Sequence, residues 1–166
     1  YWIRQQQLRT GQRGAILSFW SGTYGTALGR FMRNNAQRQG TILLSLPLGG
    51  EGRSLAVGPS DNFMTVNFRA PNEDPRQALY VVAHEVVGSV ATAGKWSTLA
   101  AVRGGAILLE RVAPDLLAGY QRYYLSLARV AAGAGDVSNQ FATTFPLPPT
   151  ILNALQRQVD IVLGGI

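Results

Sequence analysis

The single histidine of this chain, His84, is followed directly by Glu85, and then by Val86, Val87 and Gly88. An imidazole beside a carboxylate supplies a metal ligand or proton acceptor together with a base. A second imidazole four residues on would share the first one's helical face and complete a two-histidine grip on a divalent metal. Gly88 occupies that position, and the 166 residues contain no other histidine and no cysteine to replace it. Disulfides and thiolate metal sites are excluded outright. A serine hydrolase is not supported either: the chain lacks a Gly-x-Ser-x-Gly turn, and its one imidazole falls in the middle of an apolar helical stretch. The glycines at residues 49–52 lack the spacing and the following helix of a phosphate loop and read as a turn.

The second feature with chemical content is charge. The first acidic residue is Glu51, so residues 1–50 carry Arg4, Arg9, Arg13, Arg30, Arg33 and Arg38 with nothing to offset them. The rest of the chain holds nine basic and nine acidic residues, so all of the net charge of +6 belongs to the N-terminal third. Such a segment is expected to face something anionic: an acidic protein, lipid headgroups or, with Trp2, Trp20 and Tyr24 available for stacking, nucleic acid. No nucleic-acid module is recognisable, which ranks that partner last. The plain alternative is a solvated arginine-rich face without a partner.

A content of 46% hydrophobic and 14% charged residues in 166 positions is material for one domain with its own core. Its parts are an Arg-rich helical segment (residues 1–40), a small sheet (41–70) and a helical part (71–166). Over residues 4–36 the apolar positions recur at mostly helical spacing, and glycines at 22 and 25 predict a break into two pieces. Residues 41–48 and 53–57 read as extended and are expected to form a β-hairpin or loose meander, with residues 58–61 as a turn. Residues 63–68 alternate, placing Met64, Val66 and Phe68 on one side. Asn72-Glu73-Asp74-Pro75 opens a helix over 77–92, with Leu79, Val82, Ala83, Val86 and Val90 as its buried stripe and Gln77, Val81, His84, Glu85 and Gly88 on an adjacent face. Further helices are predicted over 97–112, from Pro114 to about 127, and over 150–163, with a loop at 133–138 and a rigid connector at 145–149. Tyr120, Tyr123 and Tyr124 read as a packing face.

The run Leu79-Tyr-Val-Val-Ala-His-Glu-Val-Val-Gly88, preceded by the strand at 63–68, resembles the minimal zinc metallopeptidases of the gluzincin (minigluzincin) type over roughly residues 31–124. The resemblance implies a zincin-like α+β fold, a small mainly antiparallel sheet packed against several helices, with an edge strand beside the active helix. In that family two histidines one turn apart bind zinc, the glutamate between them activates the bound water, and a glutamate on a later helix is the third ligand. His84 matches the first ligand, Glu85 the base and Glu110 the third ligand, while Gly88 stands where the second imidazole belongs.

The expectation is therefore a catalytically inactive metallopeptidase-like domain without cofactor, acting as a structural or interaction subunit. Its binding residues would be Arg4, Arg9, Arg13, Arg30, Arg33 and Arg38. Its partners would be proteins of a membrane-associated complex or anionic headgroups. Arginine-for-lysine usage with many glycines and alanines fits a bacterial source, and the location expected is periplasmic or membrane-peripheral, with cytoplasmic as the alternative. No apolar run approaches the ~18 residues of a membrane span. The enzymatic alternative is a metal-dependent peptidase or hydrolase with zinc on His84, Glu110 and water or a distant acid such as Asp115, and Glu85 as base. The ordinary reading is a half-buried histidine bonded to a neighbouring acid, with Glu85 paired to Arg103 or Arg111.

Overall fold

A computed structural model describes residues 1–35, 40–46, 52–56, 62–88, 91, 94–131, 133 and 135–165. The fold is α+β. Helices α1 (Trp2–Leu8), α2 (Thr10–Phe19) and α3 (Gly25–Asn34) precede strands β1 (Gly40–Ser45), β2 (Arg53–Ala56) and β3 (Asn62–Asn67). Helices α4 (Gln77–Gly88), α5 (Ser97–Val112), α6 (Pro114–Leu127), α7 (Val137–Thr144) and α8 (Pro149–Gly164) complete the chain.

The expected break at Gly22 and Gly25 does not occur. The helix runs through it as a π-helical turn, Trp20–Tyr24, that joins α2 to α3. The N–H of Gly25 donates to the carbonyl of Trp20, and a Cβ on Gly25 would lie 2.3 Å from that same oxygen, so only glycine fits the wider turn. The extra residue also re-phases the apolar stripe. In an uninterrupted helix Leu28 would fall about 120° around the axis from Ile16, and absorbing one residue brings it to about 20°. Gln12, Ile16, Tyr24, Leu28, Phe31 and Met32 are accordingly all buried. The actual interruption comes earlier, at Arg9, whose backbone (φ −105°, ψ 13°) separates α1 from α2.

The sheet departs from the mainly antiparallel expectation: its order is β1-β3-β2, with β1 parallel and β2 antiparallel to β3. The anticipated β1–β2 hairpin is therefore absent. Local chain proximity favours a hairpin, but β3 carries the best inward face, Met64 and Val66, continued by Phe68, and takes the centre. The parallel register sets Ile42 beside Met64 and Leu44 beside Val66, so two apolar rows share the core side. Residues 49–51 of the proposed 49–52 turn and the turn at 58–61 lie outside the described residues, as do Arg38 and Val90.

Helix α4 is the axis of the domain. Its Leu79, Val82, Ala83 and Val86 are buried as expected, but so are Tyr80, Val81 and Val87, because sheet, α5 and α6 enclose it. Burying five such aliphatic side chains contributes on the order of 10 kcal/mol before entropy is charged against it. Helix α5 comes close enough for a Cβ on Gly104 to meet Val87 at 2.3 Å. Helices α5 and α6 keep their expected bounds. Helix α7 was not anticipated from the sequence; Asp136 caps it by accepting from the N–H groups of Ser138 and Asn139. Asn34 donates to the Val162 carbonyl at 2.7 Å and ties the end of α3 to α8. No helix among the described residues is long and apolar enough to cross a membrane.

Candidate functional site

His84 and Glu85 sit at the one edge of α4 that reaches the surface, with side chains 22% and 13% exposed. Their contact is His84 Nδ1 to Glu85 Oε1 at 3.2 Å. The second carboxylate oxygen accepts from the Ser54 hydroxyl of β2 at 3.1 Å. Gly52 holds that geometry, for a Cβ there would stand 2.5 Å from Glu85 Cγ and 2.6 Å from Val81 Cγ1. The last glycine of the expected 49–52 turn thus works as a close-packing residue. Glu85 pairs with neither Arg103 nor Arg111. Arg103 stands over the Phe141 ring at 5.6 Å and Arg111 bridges Glu110 and Asp160.

Beneath His84 lies a tyrosine cluster. The imidazole stacks on Tyr124 at 5.4 Å between centroids, and Tyr124 lies 4.6 Å from Tyr120 and 5.2 Å from Tyr123. Tyr120 is completely buried and donates to the Val102 carbonyl at 2.8 Å. Burial raises the phenol pKa of Tyr120 and of Tyr124, with nearby phenols and the Glu85 carboxylate adding to the shift. Both are held as neutral hydrogen-bonding groups. Arg69 extends the cluster: buried after β3, it donates to the Tyr123 hydroxyl at 2.6 Å, lies over that ring at 5.1 Å and approaches Glu73 at 3.5 Å.

Zinc is the metal that the gluzincin resemblance implies, and the donors present do not fit it. Among the described residues no three His, Cys, Asp or Glu side chains converge as a metal-holding group. Glu110 accepts from Arg111 at 3.0 Å and lines a separate small cavity with Arg103, Gln121 and Phe141. Asp115 accepts the hydroxyl of Tyr24. Gly88 is exposed, its position for a Cβ touching only Ala101 at 4.0 Å, so it is not a close-packing residue.

The described arginines of the N-terminal third are spread over two helical pieces. Arg4 and Arg13, on α1 and α2, and Arg30 and Arg33, on α3, are exposed. Arg9 is half-buried, donating to the Phe68 carbonyl at 3.3 Å with its guanidinium 5.8 Å from that ring. Between α1–α2 and β1 runs a groove of about 800 Å³, walled by Trp2, Ile3, Ile16, Leu17 and Trp20 on one side and by residues 41–44 on the other, with Arg13 at its margin. Helix α1 buries none of its residues, yet carries Trp2 and Ile3 at 47% and 70% exposure. The arginines are legible in the sequence, but the groove is not, because it depends on how a strand edge and a helix face each other. Arg69 is not legible either, since its burial has no signature in the sequence.

No family model matches the chain, and neither the curated proteins nor the solved structures yield a match.

Proposed function

We propose that this protein is an interaction subunit that engages an anionic partner through its N-terminal third, on a scaffold of gluzincin type whose peptidase chemistry has been lost. The observation that carries this reading is helix α1, which buries no residue and yet exposes Trp2, Ile3 and Leu8 beside Arg4 and Arg13. A seven-residue helix that buries none of its residues gains little stability from its own hydrogen bonds. Its apolar and cationic side chains find their use in a complex. The scaffold part of the reading is supported by the strand β3, the following helix α4 with His84-Glu85, and the seating of Gly52 and Ser54 of the β2 segment on Glu85. Membership of a membrane-associated bacterial complex, with periplasmic or membrane-peripheral location, belongs to the same proposal.

The test is titration of the protein with polyglutamate and with phosphatidylglycerol vesicles, read from the fluorescence of Trp2 and Trp20. Raising salt from about 0.01 M to about 1 M shortens the screening length from about 30 Å to about 3 Å. Binding to at least one probe is expected to weaken steeply over that range, and to fall further in an Arg4→Gln, Arg13→Gln variant. Arg9 is left in place because it anchors to Phe68. Failure to bind either anionic probe, or binding indifferent to salt and to these substitutions, would contradict the proposal.

A further inference from the structure

The groove beside α1–α2 has a shape that narrows its occupant. Residues 41, 42, 43 and 44 of β1 all line it. Successive side chains of a strand point to opposite faces of the sheet, so a cavity over one face would touch only alternate residues. Contact with four in a row, Ile42 and Leu44 from the core side and Thr41 and Leu43 from the other, places the groove along the hydrogen-bonding edge of the strand. That edge is open: β3 pairs with one side of β1, and among the described residues no strand pairs with the other. An open edge of six residues, about 20 Å long, offers N–H and C=O groups at every second residue.

We propose that this edge is a docking slot for an extended acidic peptide segment of a partner protein, which adds to the sheet as a fourth strand beside β1. The inference rests on the interaction-subunit reading above and specifies its partner. Main-chain hydrogen bonds to β1 supply the affinity, and alternate side chains of the incoming strand find the apolar wall of Trp2, Leu17 and Trp20. Charge selects the sign of the partner. Arg13 lines the slot, Arg9 is fixed at its Phe68 end, and residues 1–50 contain no carboxylate. The same charge disfavours a second copy of this chain, since pairing β1 with β1 would bring two segments of net charge +6 together. A bilayer surface, being convex or flat on this scale, does not reach into a groove between a helix and a strand edge.

The probe is a short labelled peptide alternating valine and glutamate, compared with its valine–lysine counterpart. Two N-methylated forms of the acidic peptide are also made, one modified at the valines and one at the glutamates. A peptide paired as a strand turns the N–H groups of only one of these sets toward β1. Methylation of that set is expected to weaken binding about tenfold or more, and methylation of the other to leave it unchanged. Arg13→Glu should weaken the acidic peptide and spare the basic one. Equal effects of both methylations, with salt-dependent binding retained, would overturn the strand slot while leaving the anionic-partner reading intact. Vesicle binding in place of peptide binding, or self-association that blocks the amides of residues 41–45, would overturn it as well. If no anionic probe binds, both proposals fall.

Discussion

Gly105 and Tyr120 make a sharp test of the packing that carries His84. A Cβ placed on Gly105 would lie 2.2 Å from the Tyr120 hydroxyl oxygen and 2.8 Å from Cζ. The tyrosine has no room to yield: it is completely buried, with Tyr124 at 4.6 Å and Tyr80 and Phe141 each at 6.2 Å between ring centroids. Gly105→Ala therefore carries an overpacking cost of about 1–3 kcal/mol and strains the hydrogen bond to Val102, for about 1–2 kcal/mol more. Relief of the helical glycine returns up to about 1 kcal/mol, leaving a net loss of about 1–5 kcal/mol. Tyr120→Phe alone forfeits the Val102 bond, about 1–2 kcal/mol. In the double variant the 2.2 Å contact no longer exists while the 2.8 Å approach to Cζ remains, and the Val102 bond is lost only once, so the loss should be about 1–2 kcal/mol less than the sum of the singles. Urea denaturation of the four proteins measures this directly. Additivity within about 0.5 kcal/mol would show that Gly105 is not where the Tyr120 hydroxyl needs space.

Tyr24, with a pKa pushed up to about 12 chiefly by donating its hydroxyl to Asp115, contributes stability that is complete below pH 10 and is lost as pH rises through about 12. Tyr24→Phe should be less stable than the parent near pH 8 and show a smaller loss across pH 10–12, as measured by denaturation at several pH values. One substitution type should act in opposite directions at two glycines. Gly88→Ala, with open space around the position, should raise stability by up to about 1 kcal/mol, whereas Gly52→Ala, directed into Glu85 and Val81, should lower it by about 1–3 kcal/mol. Arg129 follows α6 in a left-handed conformation (φ 59°), while Val130 N–H donates to Leu125 and Arg129 N–H to Ser126, the closing pattern that favours glycine. Arg129→Gly should therefore stabilise by about 0.5–1 kcal/mol, visible as a rise in Tm.

Local periodicity made much of the helical part legible. The 97–112 helix and the proline-started helix at 114 came through intact because each has an apolar stripe and a clear start or stop. The inward set Met64, Val66 and Phe68 was equally plain from alternation. What depends on distance in the chain was not. The central place of β3 rests on competition between faces, which no local window contains. The π-helical turn conserves the apolar face by adding a residue, and this registers in sequence only as a poorly phased stripe rich in glycine. Helix α7 is eight residues with two threonines at its end, too short and too weak in propensity for periodicity to detect, although Asp136 marked its cap. For the site, the arginines and the His84-Glu85 pair were visible as residue types. The partners Ser54, Gly52 and Tyr124, the position of Glu110 beside Arg111, and the groove at β1 required the fold.

The surface at work is the most direct question to put to the molecule, because two regions compete for that role: the slot between α1–α2 and β1, and the His84-Glu85 edge of α4. Amide chemical-shift mapping during titration with the valine–glutamate peptide separates them in one experiment. Shifts are predicted to concentrate on residues 2–20 and 41–45, leaving residues 84–88 and Ser54 in place. Shifts gathered around His84, Glu85 and Ser54, with the N-terminal helices and β1 unmoved, would contradict the account.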